Sequence, residues 1–179
     1  MSAKSALRAD VVRQRSLLRV DQREAAGRAI ATAVADLLGA ARRVAAYAAV
    51  GSEPQTASLL AARPDVLLPV LLPTGDLDWA TGAGDLRTSP RGLLEPGGRR
   101  LGPDAIADCD LVLVPALAVD AAGNRLGRGG GSYDRALRRT TGLTIAVLYD
   151  EEVVDSVPTE AHDVPVAGVV TPSYGLLRF

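Results

Sequence analysis

The segment GNRLGRGGGSYDRALRR, residues 123–139, is where residue types and spacing most plainly suggest chemistry. Gly127, Gly129, Gly130 and Gly131 strip side chains from a turn that leads into a helix-forming run. Backbone N–H groups there can converge on an anion, aided by the partial positive charge of a helix start. Arg125 and Arg128 add forked donors that suit phosphate. A merely tight or flexible loop is the plainer account of the glycines. The spacing is not a Walker motif, because no Lys-Ser/Thr follows the last glycine. A dinucleotide fingerprint would follow the first strand and carry Gly or Ala where Ser132 stands. Asp134 reads either as a partner for the helix dipole or, in a phosphate site, as a Mg²⁺ ligand, since Mg²⁺ takes one or two carboxylates with phosphate oxygens and waters. A second carboxylate, Asp163, stands beside the one histidine, His162, which alone reads as a surface or structural residue.

The elements that must position these groups alternate between helical and strand periodicity. Residues 2 to about 19 read as a helix, with Lys4 and Arg8 one turn apart. A second helix starts at Asp21 under a capping pattern and stops at Gly39. Strands are expected at 43–50, 65–72 (apolar enough for burial on both faces), 111–119, 143–149 and within 162–170. Residues 77–82 read as an edge strand or hairpin arm, 56–63 and 133–139 as short helices, and 121–124 as a tight turn. A short helical piece is expected at 151–158. Residues 83–103 are rich in Gly and Pro and too long for an idle connector, so they are either mobile or part of a site. This alternation predicts an α/β fold: one Rossmann-like domain over 1–179, with a mainly parallel sheet and helices on both faces. Ligands then bind beyond the carboxyl ends of the strands.

The composition excludes several classes. A net charge of −1 gives no basis for a nucleic-acid or membrane partner. One cysteine, Cys109, rules out an intrachain disulfide and reads as a small buried apolar residue. The charged N-terminus lacks a signal-peptide core, so the expected location is cytoplasmic, and a monomer is expected. Lys4 is the only lysine.

Taken together, VPALAVDAAGNRLGRGGGSYDRAL resembles the signature of 5-formyltetrahydrofolate cyclo-ligases, also called methenyltetrahydrofolate synthetases. Four further segments agree in order: KSALR (4–8), EPQT (53–56), LLEP (93–96) and HDVPV (162–166). The resemblance implies ATP- and Mg²⁺-dependent closure of 5-formyltetrahydrofolate, in its mono- or polyglutamate form, to 5,10-methenyltetrahydrofolate. It implies ATP contacts at Lys4, Arg8, Arg125, Leu126, Gly127, Arg128, Gly129, Gly130, Gly131, Ser132 and Tyr133. Folate contacts carry over to Glu53, Arg128, Gly129, Gly130, Gly131 and Ser132, and metal contacts to Asp134 and Asp163. Arg125, Arg128 and Asp134 take the catalytic roles. Three positions depart from the pattern: Ser132 stands where relatives often have Tyr, Val119 where an aromatic is common, and Ala167 where Asp is common. Pterin stacking would then fall to Tyr47, Trp79, Tyr133 or aliphatic groups. The readings set against an active cyclo-ligase are a nucleotide- or folate-binding regulatory module without turnover and, more weakly, a sugar-phosphate isomerase.

Overall fold

A computed structural model describes residues 2–179. The first helix, α1 (Ala3–Ser16), is capped by the Ser2 hydroxyl, which accepts from the Ser5 N–H. The second expected helix is divided. α2 (Val20–Ala33) ends at Val34, whose φ of −103° and ψ of 5° break the ladder, and α3 (Ala35–Ala40) carries on. Ile30, Val34 and Leu38 recur at a spacing of four and are all buried against the sheet.

Five strands make the central sheet in the order β1-β6-β9-β10-β11: β1 (Val44–Ala45), β6 (Leu111–Pro115), β9 (Leu143–Val147), β10 (Gly168–Thr171) and β11 (Gly175–Arg178). The first four run parallel, and β11 returns antiparallel along β10. β6 lies between β1 and β9 and is buried on both faces. Leu111 and Leu113 meet Ile30, Val34, Leu38 and, from α4 (Ala57–Ala62), Leu59 and Leu60. Val112 and Val114 meet Trp79, Ile106 and, from α5 (Ser132–Leu137), Ala136 and Leu137. Helices therefore cover both faces of a mainly parallel sheet, as expected for the α/β class.

Several expected boundaries move, each for an identifiable reason. The first strand stops at Ala45 instead of reaching 50, because Ala46 N turns to Leu67 O and side chains take the Ala49 and Val50 donors. Thr56 Oγ1 accepts from Ala49 N at 3.0 Å, and Glu53 Oε2 accepts from Val50 N at 3.0 Å. The 65–72 segment touches the main sheet only through an Ala45–Leu67 bridge. It then turns away as β2 (Leu68–Leu71) into an antiparallel hairpin with β3 (Leu77–Ala80). β2 is buried on one face only, and its other face carries Pro69 and Leu71 into the cavity described below. The 111–119 strand divides at Pro115. Ala118–Val119 leaves the sheet as β7 and pairs antiparallel with β8 (Arg125–Leu126). A carboxylate shapes the turn between them. Asp120 accepts from Ala122 N, Asn124 N, Asn124 Nδ2 and Val157 N.

Residues 83–103 contain a further hairpin, β4 (Leu86–Thr88) and β5 (Leu94–Pro96). Only Asp150–Glu152 of the 151–158 region is helical, as a 3₁₀ turn entered one residue early. The last expected strand starts at Gly168, after an irregular His162-Asp163 segment, and the edge strand β11 follows it unforeseen. Cys109 is buried and unpaired, and burial pushes its thiol up to about 11.

Candidate active site

Beyond the carboxyl ends of β1 and β6 lies a cavity of about 870 Å³. Each candidate residue lines it, from Lys4 and Arg8 on α1, through Glu53 and the whole Arg125–Asp134 run, to Asp163. Leu93 and Leu94 of the 83–103 segment form part of its wall, while Glu95 accepts from Leu71 N and holds that hairpin against β2.

The glycine stretch follows β8 and ends at Gly131, whose φ of +67° places it in the left-handed region as the N-cap of α5. Its cations fall into two groups. Four are paired with carboxylates, one of them Arg15 with Glu152. Arg125 Nη2 reaches Asp134 Oδ1 at 2.9 Å, Arg128 Nη2 reaches Glu53 Oε1 at 3.0 Å, and Lys4 Nζ reaches Asp163 Oδ2 at 2.6 Å. Three others lining the cavity touch only backbone carbonyls. Arg8 donates to Gly127 O, Arg135 to Gly75 O and Gly130 O, and Arg138 to His162 O. Arg135 and Arg138 were absent from the sequence-derived set. The signal that could have found them is their three-residue spacing on the helix that carries Asp134.

Glu53 is far from an ordinary loop glutamate, being only 6% exposed. Its Oε2 caps Val50 N and its Oε1 receives Arg128, so one oxygen builds the loop and the other faces the cavity. The loop itself is held by α2. A Cβ on Gly27 would sit 2.5 Å from Gln55 O, so only a glycine allows that approach.

Arg125 and Arg128 have opposite surroundings. The Arg125 side chain is 3% exposed, donates to Pro115 O, and lies 5.9 Å from the centre of the Tyr133 ring. Arg128 is 61% exposed at the mouth. The Tyr47 and Tyr133 hydroxyls are buried without a partner, and burial, aided by the Glu53 charge, holds both well above the usual tyrosine range. Trp79, one of the expected stacking groups, is fully buried in the core on the α5 face and lies outside the cavity lining. Among the departures, Ser132 lines the cavity, whereas Val119 is a core residue and Ala167 lies outside the lining.

The two candidate metal ligands, Asp134 and Asp163, line the same cavity. Asp134 uses Oδ1 for Arg125 and Val164 N, and Asp163 uses Oδ2 for Lys4 and Glu160 N. Each keeps its other oxygen clear of hydrogen bonds among the described residues. Burial pushes the Asp163 carboxyl up, but Lys4 and the Glu160 N–H outweigh it and hold it below the usual range. No cluster of three or more His, Cys, Asp or Glu side chains suited to a metal occurs among the described residues. The described residues therefore form no all-protein cage, and the oxygen that each of the two carboxylates keeps clear is the kind of donor a Mg²⁺ ion takes alongside phosphate and water.

Comparison with known proteins adds four findings. The family model described as "5-formyltetrahydrofolate cyclo-ligase family" matches residues 1–172. A 5-formyltetrahydrofolate cyclo-ligase of Mycolicibacterium smegmatis is 37% identical over 187 residues, spanning 98% of this chain and 96% of the relative. The solved 5,10-methenyltetrahydrofolate synthetase of Aquifex aeolicus superposes with a TM-score of 0.83 at 28% identity, over 99% of this chain and 93% of the other. A synthetase of the same description from Mycoplasma pneumoniae shares the fold, with a TM-score of 0.73 at 17% identity, over 96% of this chain and all of the other.

Proposed function

The chain belongs to the 5-formyltetrahydrofolate cyclo-ligase family, and from that premise we propose that it closes 5-formyltetrahydrofolate to 5,10-methenyltetrahydrofolate in this cavity, with ATP as phosphoryl donor and Mg²⁺ as cofactor. The observation that carries the reading is convergence. Residues scattered from Lys4 to Asp163 meet around one cavity, and they bring the phosphate-binding and carboxylate groups that this chemistry requires.

The formyl oxygen of the substrate attacks the γ-phosphorus. An O–P bond forms, the bond to the β-phosphate oxygen breaks, and ADP leaves. N10 then attacks the activated formyl carbon and gives up its proton. The C–O bond breaks and inorganic phosphate departs, leaving the N5–N10 methenyl bridge. No protein nucleophile takes part, so the site must supply position and charge. Arg8, Arg128 and the glycine-stretch backbone hold the phosphates, and Lys4 reaches the same space from α1. Asp134 and Asp163 would hold Mg²⁺, which supplies charge neutralisation on the phosphate oxygens. Arg125 keeps Asp134 oriented from below. Glu53 Oε1 faces the folate side, where a carboxylate accepts from the pterin's amino and ring N–H groups once Arg128 turns toward phosphate.

The test is to mix the protein with ATP, Mg²⁺ and 5-formyltetrahydrofolate and follow methenyl absorbance together with ADP. Equal amounts of both products are expected. Folate or nucleotide binding without ADP release would favour a regulatory module instead. Asp134→Asn should abolish Mg²⁺-dependent turnover. Because Asp134 also neutralises the buried Arg125, that variant should lose stability as well. Asp163→Asn, which still leaves the less enclosed Lys4 with Glu160 at 3.6 Å, is the cleaner second variant and should weaken the Mg²⁺ dependence with little change in melting temperature.

A further inference from the structure

The Tyr149–Glu152 segment beyond β9 and the C-terminal half of α1 have no role in the chemistry above, yet the most completely buried ion pair among the described residues joins them. Arg15 and Glu152 side chains are 2% and 7% exposed. Arg15 Nε donates to Glu152 Oε1 at 2.6 Å, and Nη2 donates to Glu152 Oε2 at 2.8 Å and to Ala116 O at 2.7 Å. Glu152 Oε2 also accepts from Tyr149 N at 2.9 Å, and the Arg15 guanidinium lies 5.7 Å from the centre of the Tyr149 ring. Ala116 stands just past the end of β6 at the cavity wall, and Tyr149 and Glu152 stand just past the end of β9.

We propose that this pair is a clasp whose function is to position α1 for the reaction. Arg15 and Glu152 are positioning residues that set where Lys4 and Arg8 meet the nucleotide. Lys4, Arg8, Val11 and Arg15 are spaced by four, three and four, so they share one helix face, and the three cations all line the cavity. Apart from the clasp, α1 is held by a small apolar cluster in which Val11 and Leu7 meet Leu117, Ala118, Leu126 and Val157, and by the polar contacts of Lys4 and Arg8 themselves. Eleven residues of helix put Arg15 roughly 16 Å from Lys4 along the axis. A few degrees of tilt at the clasp therefore move the Lys4 end by on the order of 1 Å, a displacement that phosphoryl transfer registers strongly. Stability alone does not account for the arrangement, because a buried ion pair is often no better than apolar residues of the same size. A fixed, directional contact at the cavity edge does.

The inference rests on the reaction proposed above, and the experiment separates the two. Glu152→Gln and the double variant Arg15→Met/Glu152→Gln are compared with the unaltered chain. The double variant leaves no unpaired buried charge and keeps an acceptor for Tyr149 N, so it should fold where the single one falters. In folded clasp variants the KM for ATP should rise about tenfold while that for 5-formyltetrahydrofolate stays within about twofold. Arg15→Lys, which keeps the charge, should recover part of the ATP KM. The effect of Lys4→Ala on ATP KM should shrink once the clasp is gone, since Lys4 is then already misplaced. Amide exchange in residues 3–16 should quicken without change in β6 and β9, a readout that requires no substrate. If the unaltered chain forms no methenyl product, the reaction is refuted and α1 exchange still decides the clasp. An unchanged ATP KM, an equal rise in both KM values, a fully additive Lys4 cycle or unchanged α1 exchange would each overturn it.

Discussion

Arg125, two residues before the glycine stretch, and Arg128, within it, carry the same charge into opposite surroundings, and their substitutions should behave differently. Arg125, 3% exposed, neutralises Asp134 beneath the cavity. Arg128, 61% exposed, covers Glu53 at the mouth. Arg125→Ala leaves Asp134 without its partner and should cost about 3–5 kcal/mol, the range for breaking a largely buried pair. Arg128→Ala removes a well-solvated cation but leaves the buried Glu53, which keeps Val50 N, without it, so stability should fall by only about 1–2 kcal/mol. Its turnover should nevertheless fall at least about tenfold, because phosphate and folate both depend on that guanidinium. Urea denaturation and steady-state kinetics on the two variants read the contrast. Equal stability losses would show that the buried and exposed pairs are equivalent after all.

The turn between β7 and β8 aims the glycine stretch, and it depends on one carboxylate. Burial pushes the Asp120 carboxyl up, but donors from Asn124, Val157 and Ala122 outweigh it and leave it below the usual range. A depressed folded pKa means that Asp120 adds stability above its unfolded pKa, near the usual aspartate value of about 4. That contribution is lost as pH falls through the lower folded value. Asp120→Ala should cost about 2–4 kcal/mol at neutral pH, because it strands several buried N–H groups. It should also flatten the fall in urea midpoint below about pH 4 that the unaltered chain shows. An acid limb of unchanged slope in the variant would place the sensitivity elsewhere. Chain order alone placed the turn at 121–124, but the reach of Asp120 across to Val157 is a tertiary contact that no local pattern announces.

At the scale of the whole molecule, the cavity is a meeting place of distant segments, so a ligand there should stabilise the entire fold. At about a hundredfold excess over its Kd, ATP with Mg²⁺ should add about 2.7 kcal/mol. For a chain of this size that raises Tm by roughly 5–10 °C. Scanning calorimetry should show the shift, and chelation of the metal should remove most of it. A shift that survives chelation would mean that the arginines hold ATP without help from Asp134 and Asp163. No described helix is long and apolar enough to cross a membrane.

The sequence by itself determined the class of fold, since alternating helical and strand periodicities admit little other than a sheet covered by helices. It also determined the inventory of the cavity, because the glycine stretch, the Glu-x-x-Thr and His-Asp segments and the lone lysine are each visible as residue types in order. What it did not determine was pairing. That Glu53 lends one oxygen to Val50 N, that Lys4 and Asp163 hold one another, and that Trp79 belongs to the core all depend on contacts between residues far apart in the chain. The missed strand β11 and the early ends of β1 and β6 have the same origin. A strand continues only while a neighbour offers partners, and the Ala49 and Val50 donors go to side chains instead. Arg15 makes the point most sharply. In sequence it is one of many charged residues on a polar helix, and only the tertiary structure turns it inward, because Glu152 and the free carbonyl of Ala116 wait at the strand ends.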